Sequence, residues 1–331
     1  MKSLRHRIFG TLFVLSTVFA VSAVTTVFAA EDYPSKPVRL IVPWPPGGGV
    51  DAVGRLVAAK LTERLGKQVV VENRGGAGGI IGTEAVAKAD PDGYTIVIAA
   101  PSHTLQLALM KLPYHPIKSF VPIAKLGIGA EVLAVFSGLP VNSVKDLIAL
   151  AQKKPGQLIF VSPGIGGSIH LATELFKMMA DIDFKIVHFR GGGPAMIDLI
   201  GGHSNACIGS LIQVLPHLKS GKLRALATTG AKRSVILPNV PTIAEAALPG
   251  FETTQWWGIL APAGTPTPIV DRLSNELKAI LTMDEVKKRF LNDGAEVDYL
   301  GPAEFGTFLE REISDWERVV KKANIKLEEQ K

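Results

Sequence analysis

The residues best placed to do chemistry lie in one short stretch, Gly164-Ile165-Gly166-Gly167-Ser168-Ile169-His170. A serine two residues before a histidine invites a nucleophile and its base. The hydrolase turn Gly-x-Ser-x-Gly, however, needs glycine where His170 stands, and side chains two apart on a helix diverge. The other chemistry this stretch offers uses almost no side chains. Glycine lets backbone N–H groups approach a ligand because no Cβ intervenes. A helix start presents unpaired N–H groups and a partial positive charge. Phosphate, sulfate or carboxylate suits such a place. A functionless strand-to-helix turn would carry the same residues, so this stretch alone leaves both readings open.

Other reactive groups are sparse. The seven histidines, His6, His103, His115, His170, His188, His203 and His217, are scattered, and none has a partner at metal-ligand spacing. Cys207 is the only cysteine, so no internal disulfide forms. No Gly-x-x-x-x-Gly-Lys-Ser/Thr loop and no Gly-x-Gly-x-x-Gly fingerprint occurs, and no cofactor or metal is expected. Glu84, Glu174 and Asp198 fall within helical patterns, where solvated or capping roles are expected. Catalytic residues are therefore not assigned; backbone-rich anion loops favour binding over turnover.

The elements that must position these loops recur. An apolar run, a glycine loop and a helical run follow one another near Gly47, Gly76, Gly166 and Gly192, two in each half of the chain. Residues 38–42 read as a strand ending in Pro43-Trp44-Pro45-Pro46-Gly47-Gly48-Gly49, and helical spacing follows. Trp44 stands at the mouth of that loop, facing either a ligand or the helix. Asp51, in the first helical turn, is expected to cap rather than to touch ligand. Strands at 68–73 and 94–100 follow, the first leading to a helix from Thr83 and the second ending at Ser102 and His103. In open α/β sheets that edge binds ligands. Residues 120–128 and 132–136 read as strands and give a first candidate crossing between domains. Residues 185–189 read as a strand ending in Arg190-Gly191-Gly192-Gly193, with a helix over 195–200. Strands at 206–210 and 223–228 are followed by a second crossing strand at 253–261, which holds Trp256 and Trp257. The remainder reads as helical: 268–281, 284–292 and 302–322. Alternating strands and helices predict an α/β, doubly wound architecture.

Lys2, Arg5 and Arg7 precede an uncharged run over residues 8–28 that closes in Val27-Phe28-Ala29. This is a secretory signal pattern with cleavage expected after Ala29. The chain has 36 Lys+Arg and 30 Asp+Glu; without the three leader bases the balance is 33 to 30, or +3. There is no basic stripe with interleaved aromatics, so nucleic acid is not expected as a partner. An exported chain without disulfides fits a Gram-negative periplasm.

Several of these residues carry a resemblance. Pro-Trp-Pro-Pro-Gly-Gly-Gly-Val-Asp (43–51), Val-Glu-Asn-Arg-Gly-Gly-Ala-Gly-Gly-Ile-Ile-Gly (71–82), Pro-Asp-Gly-Tyr-Thr (91–95), Gly-Gly-Ser-Ile-His-Leu-Ala (166–172), Gly-Gly-Gly-Pro-Ala-Met-Ile-Asp-Leu-Ile-Gly-Gly (191–202), Gly-Lys-Leu-Arg-Ala-Leu-Ala (221–227) and Trp-Gly-Ile-Leu-Ala-Pro-Ala-Gly-Thr-Pro (257–266) resemble the Bug family. These TctC-like proteins are extracytoplasmic receptors of tripartite tricarboxylate transporters. The resemblance implies a two-domain type II periplasmic binding fold, with a ligand cleft between the domains. It implies domain 1 over 30–128 and 251–331 and domain 2 over 129–250. It also implies a small carboxylate held by Trp44, Pro46, Gly47 and Gly48 with Ser102, facing Ser162, Gly164, Gly166, Gly167, Ser168 and His170. His103, Arg190 and Gly191 complete the expected wall. Arg190 stands where the family often has Lys, leaving a cation at the rim. Asn205 stands near a family Asp, which removes an acidic contact of the kind amino-acid receptors use. A monomer that meets membrane transporter subunits is implied. Two other functions remain open: a periplasmic enzyme using Ser168 or His170, and an interaction protein outside transport.

Overall fold

The computed structural model describes residues 33–323; the expected leader lies outside them. From Lys36 onward the chain forms one compact body. In chain order, β1 (Val38–Val42) leads into α1 (Gly49–Leu65). β2 (Val69–Asn73) passes through a 3-10 turn into α2 (Ile80–Ala87). β3 (Thr95–Ala99) ends in the single-turn α3 (Ser102–Leu105). β4 (Phe120–Gly129) and β5 (Glu131–Phe136) follow, then α4 (Val144–Lys153), β6 (Ile159–Ser162), α5 (Ser168–Met179), β7 (Lys185–His188) and α6 (Gly192–Ile200). β8 (Ala206–Ser210), α7 (Leu211–Lys219), β9 (Leu223–Thr228) and α8 (Ile243–Ala246) precede β10 (Gln255–Pro262). The described chain ends with α9 (Thr267–Thr282), α10 (Asp284–Asp293), β11 (Ala295–Leu300) and α11 (Pro302–Ala323).

Two mixed sheets result, in the orders β11-β4-β10-β3-β1-β2 and β7-β6-β8-β5-β9. In the first, β1 lies parallel between β2 and β3, with Val38 opposite Val69 and Leu40 opposite Ile96. Every residue of β3 is buried, as the unbroken Thr-Ile-Val-Ile-Ala run requires of a strand covered on both faces. In the second, β6 lies parallel between β7 and β8. A single residue, Ala130, separates β4 of one sheet from β5 of the other.

Period-two alternation divides the core. Leu133 and Val135 of β5 pack with Phe160, Phe176, Phe184 and Phe251 on one face of the second sheet. Val132 and Ala134 pack with Met196, Leu199, Leu211 and Val214 on the other. Phe160 stacks on Phe184 with centroids 3.9 Å apart. Each fully buried aromatic or Leu side chain contributes roughly 1.5–3 kcal/mol by leaving water. The free Cys207 lies in the second of these clusters, and burial pushes its thiol up to about 12.

Three elements differ from the sequence reading. Residues 295–300, left between two expected helices, are a strand: Gly294, at φ 95°, ends α10 in the left-handed region, and the chain re-enters the sheet beside β4. α2 begins at Ile80, three residues before the expected Thr83, because the 3-10 turn at Ala77–Gly79 runs directly into it. α7 fills the stretch between β8 and β9 and carries Pro216 inside it.

Candidate functional site

The loops after β1, β2, β3, β6, β7 and β8 converge on one cleft of about 960 Å³. These are the C-terminal ends of the parallel strands of both sheets, where open α/β sheets bind ligands. Five helices, α1, α2, α5, α6 and α7, start at its wall, with Gly48, Gly79, Gly167, Gly191 and Ser210 as N-caps. None of the five has a side-chain cap. Away from the cleft, α4 and α8 are closed by Ser143 and by a Thr242–Glu245 capping box, while α9 and α10 also start without a side-chain cap. The leading N–H groups of the five cleft helices thus have no side-chain cap, although the first of α2 donates to Ala77 O and the first of α7 to Ala130 O at 2.9 Å.

Two of these caps show why glycine is present. Gly48 and Gly167 have ordinary extended backbone, φ −88° and −82°. A Cβ added at Gly48 would meet nothing within 4 Å, and one at Gly167 would meet only Gly164 O at 3.9 Å. Neither backbone strain nor packing demands glycine there. What a side chain would occupy is the cleft itself.

The first loop is held from behind. Asp51 accepts from Gly47 N at 3.0 Å, from Arg55 Nε at 3.0 Å and from Asn73 Nδ2 at 2.9 Å. Burial pushes its carboxyl up, but the bonds from Arg55, Gly47 and Asn73 outweigh this and hold it below its ordinary value. Asp51 is therefore a loop clasp that holds Gly47 N, not the expected side-chain cap of α1. Trp44 lines the cleft while its indole edge also lies against Gly79, 3.0 Å from where a Cβ would sit.

The expected site residues divide. Trp44, Pro46, Gly48, Ser102, Gly164, Gly167, Ser168, Arg190 and Gly191 line the cleft. Gly47 lines a neighbouring pocket of about 390 Å³ between α1, α6 and α7. His103, Ser162, Gly166 and His170 are not in the cleft wall. His103 is a core residue: its Nε2 meets Pro116 O at 2.8 Å and its ring packs against Tyr114 and Phe120. Burial drives its pKa down to about 4, leaving it neutral. Ser162 is fully buried and bonds within its own turn to Gly164 O at 3.0 Å.

His170 supports the loop from beneath. Its Nδ1 accepts from Gly166 N at 3.1 Å and its Nε2 faces Glu174 at 3.5 Å. The Ser168 hydroxyl instead donates to Gln255 Oε1 at 3.3 Å. Base and nucleophile are thus engaged elsewhere, and the Ser168/His170 dyad is not assembled. His188 lies edge-on to His170, with centroids 4.6 Å apart. Burial, reinforced by neighbouring His170 and opposed by Glu174, lowers its pKa to about 4, so it enters the cleft uncharged near neutrality. Asn205 is structural, accepting from Ile159 N at 2.8 Å.

Gln106, Ser210 and Gln213 carry no sequence signal as site residues, and Trp257 is marked in the sequence only together with Trp256. Gln106, almost fully buried, donates through Nε2 to Gly78 O and to Gly166 O, each at 3.0 Å. It thereby joins a glycine loop of the first sheet to one of the second. Contact there is close: a Cβ on Gly78, at φ +64°, would fall 2.9 Å from Ile165 O. Ser210, Gln213 and Trp257 also line the cleft. Strand alternation separates the two tryptophans. Trp257 lies on the cleft side of β10, whereas Trp256 packs on Phe305 and Phe308 and donates to Glu312 at 2.9 Å.

Known proteins share this arrangement. The family described as "Tripartite tricarboxylate transporter family receptor" matches residues 53–325. Protein BugT of Bordetella pertussis is 36% identical over 319 residues, covering 96% of this chain and 98% of that protein. Among solved structures, R. palustris Rpa4515 with adipate superimposes with a TM-score of 0.86 at 39% identity, covering 89% of this chain and 99% of that one. MatC from Rhodopseudomonas palustris with bound malate gives a TM-score of 0.83 at 32% identity, covering 87% and 100%. With its glycine-walled cleft between two sheets and a family match over most of its length, the chain belongs to the TctC receptor family of tripartite tricarboxylate transporters.

Proposed function

We propose that this protein is a periplasmic receptor that captures a small organic acid in the cleft and delivers it to the membrane subunits of a tripartite transporter. The observation that carries this reading is the convergence of five uncapped helix starts on one wall. Unpaired N–H groups and helix dipoles stabilise a bound carboxylate there. The relatives support the same chemistry, since Rpa4515 holds adipate and MatC holds malate.

The chain acts as a monomer of two lobes, residues 30–128 with 251–331 and residues 129–250, after export and cleavage following Ala29. The lobes rotate about the strand crossings near Ala130 and between β9 and β10, and close on the ligand as a hinge. Gln106 stitches the two glycine loops together in the closed form. The receptor binds without turnover, because the geometry leaves no base on Ser168.

Calorimetric titration of the purified mature chain with adipate, succinate and malate tests this. Saturable one-site binding is expected, with the acid recovered unchanged after long incubation. No heat and no thermal shift with any carboxylate would overturn the receptor reading, and chemical conversion of the acid would turn it into an enzyme.

A further inference from the structure

The two glycine loops are clasped by the same device with different chemistry. Asp51 and His170 each stand third in their helix, α1 and α5. Each reaches back to the N–H one residue ahead of the N-cap: Asp51 Oδ2 to Gly47 N at 3.0 Å, His170 Nδ1 to Gly166 N at 3.1 Å. A residue that reaches back in this way from the third helical position is ordinarily Glu or Gln. The bonds around Asp51 hold its carboxyl below its ordinary value, so that clasp keeps its acceptor in mild acid. An imidazole nitrogen stops accepting once it is protonated, and imidazoles change charge between about pH 5 and 8.

Gly166 is also gripped from the other side of the cleft. Its carbonyl accepts from Gln106 Nε2 at 3.0 Å, while Gly167 and Ser168 beside it line the cleft. The setting of this one peptide therefore governs both the wall and the contact that bridges the loops.

The surroundings of His170 accommodate a proton. With Nδ1 accepting, the ring proton sits on Nε2, 3.5 Å from Glu174 Oε1. The bond from His170 outweighs burial and, with Lys177 and His188 nearby, holds the Glu174 carboxyl below its ordinary value, so a charged ring has an ionised partner. On β7, His188 meets His170 edge-on; burial, then His170 itself, lowers its pKa to about 4, so it stays neutral in mild acid. Gln106 and Met110, which approach Gly166 from across the cleft, do not titrate. β6 and β8, packed against α5, bring no charged group, and Cys207 of β8 keeps its thiol proton.

We propose that His170 is a positioning residue for the second glycine loop and makes solute capture proton-sensitive: the neutral ring holds Gly166 in place, and the protonated ring releases it. One proton enters from solvent at Nδ1, and Nδ1–H then faces Gly166 N–H, donor against donor. The Gly166 peptide turns, its carbonyl leaves Gln106, and the solute is released as pH falls. The proposal rests on the receptor reading above and adds the regulation of that site.

Titration calorimetry with adipate, from about pH 8 to about pH 5.5, spans most of the range over which imidazoles change charge. It compares the wild-type mature chain with His170→Phe, which keeps a ring and loses the acceptor, and His170→Asn, whose Oδ1 stands where Nδ1 stands and accepts throughout. The titration of adipate itself is common to all three. At the upper end, the Phe variant should bind at least about fivefold more weakly than wild type, the worth of one hydrogen bond, and the Asn variant should recover most of that loss. Toward the lower end, the wild type should lose at least about fivefold more affinity than the Asn variant. Equal pH profiles for wild type and His170→Asn, or wild-type affinity in His170→Phe, would overturn the proposal and leave the receptor intact. Nitrogen-15 NMR of the unliganded chain gives a readout that needs no solute and no Phe variant: the Gly166 amide resonance should move with pH in wild type and stay in place in His170→Asn. An amide that moves alike in both, or in neither, overturns the proposal, whereas adipate binding at no pH overturns the receptor reading alone.

Discussion

Replacing Gln106 by leucine removes a side chain that bonds to both glycine loops. Its Nε2 makes two bonds of equal length, but they do different things. The bond to Gly78 O, at 3.0 Å, joins loops that follow strands of the same sheet, so the proposed opening of the cleft should leave it intact. The bond to Gly166 O, also 3.0 Å, crosses between sheets and exists only when the loops are together. A buried hydrogen bond is worth on the order of 1 kcal/mol net. Loss of the Gly78 bond should therefore lower the melting temperature of the unliganded protein by roughly 2–4 °C, as that energy gives for a chain of this size. Loss of the Gly166 bond falls on the liganded form, where about 1 kcal/mol is roughly a fivefold rise in Kd. Titration calorimetry with adipate and differential scanning fluorimetry, run on the same preparation, separate the two effects. A Gln106→Glu variant sharpens the test, because its carboxylate would face two carbonyl oxygens and should bind more weakly still. If Gln106→Leu lowers the melting temperature while Kd stays at the wild-type value, the residue is structural and the closure argument is wrong.

Gly167→Val should leave the melting temperature near wild type, since its φ of −82° suits valine, while adipate affinity falls more than about tenfold as the side chain enters the cleft; retained affinity would refute the steric argument. Glu131, fully buried at the strand crossing, accepts through Oε2 from Thr253 Oγ1 at 2.7 Å, and burial raises its pKa from 4.5 to about 7. A raised carboxyl pKa gives stability that is complete at low pH and lost as pH rises through about 7, a loss of up to ~3 kcal/mol. His103, lowered to about 4, acts in the opposite sense below pH 6.5, so the difference between wild type and Glu131→Gln is the readout. The Gln variant should lose the decline expected between about pH 4.5 and 7 in thermal melts of the wild type. Trp256→Phe removes the bond to Glu312 and should cost about 1 kcal/mol of stability in urea unfolding, with adipate affinity unchanged.

Much of this architecture was legible because its signals are local. Each of the four modules places a β-branched apolar run, a glycine loop and a helical pattern within a few dozen residues, and all four loops fold into the cleft region. Ala295–Leu300 gave no such signal. Its Ala-Glu-Val-Asp-Tyr-Leu alternates polar and apolar residues between two helices, and only pairing with β4 makes it a strand. The wall was less legible than the loops. His103 and Ser102 are adjacent, yet one faces the core and the other the cleft, a choice made by the single turn of α3. Gln106 and Gln213 are ordinary glutamines until distant loops meet them. Trp256 and Trp257 were indistinguishable until β10 gave each its face.

The uncapped starts of α1, α2, α5, α6 and α7 have a consequence for the unliganded protein. A side-chain cap is worth typically ~1 kcal/mol to a helix, and here five helices go without one on a single surface. The empty receptor is a fold with its ends untied, and the solute ties several of them at once. Evolution toward greater thermal stability would place Ser, Asp or Asn at these caps, and in doing so would fill the cleft with the protein's own oxygens. Such a chain would imitate its cargo and no longer carry it.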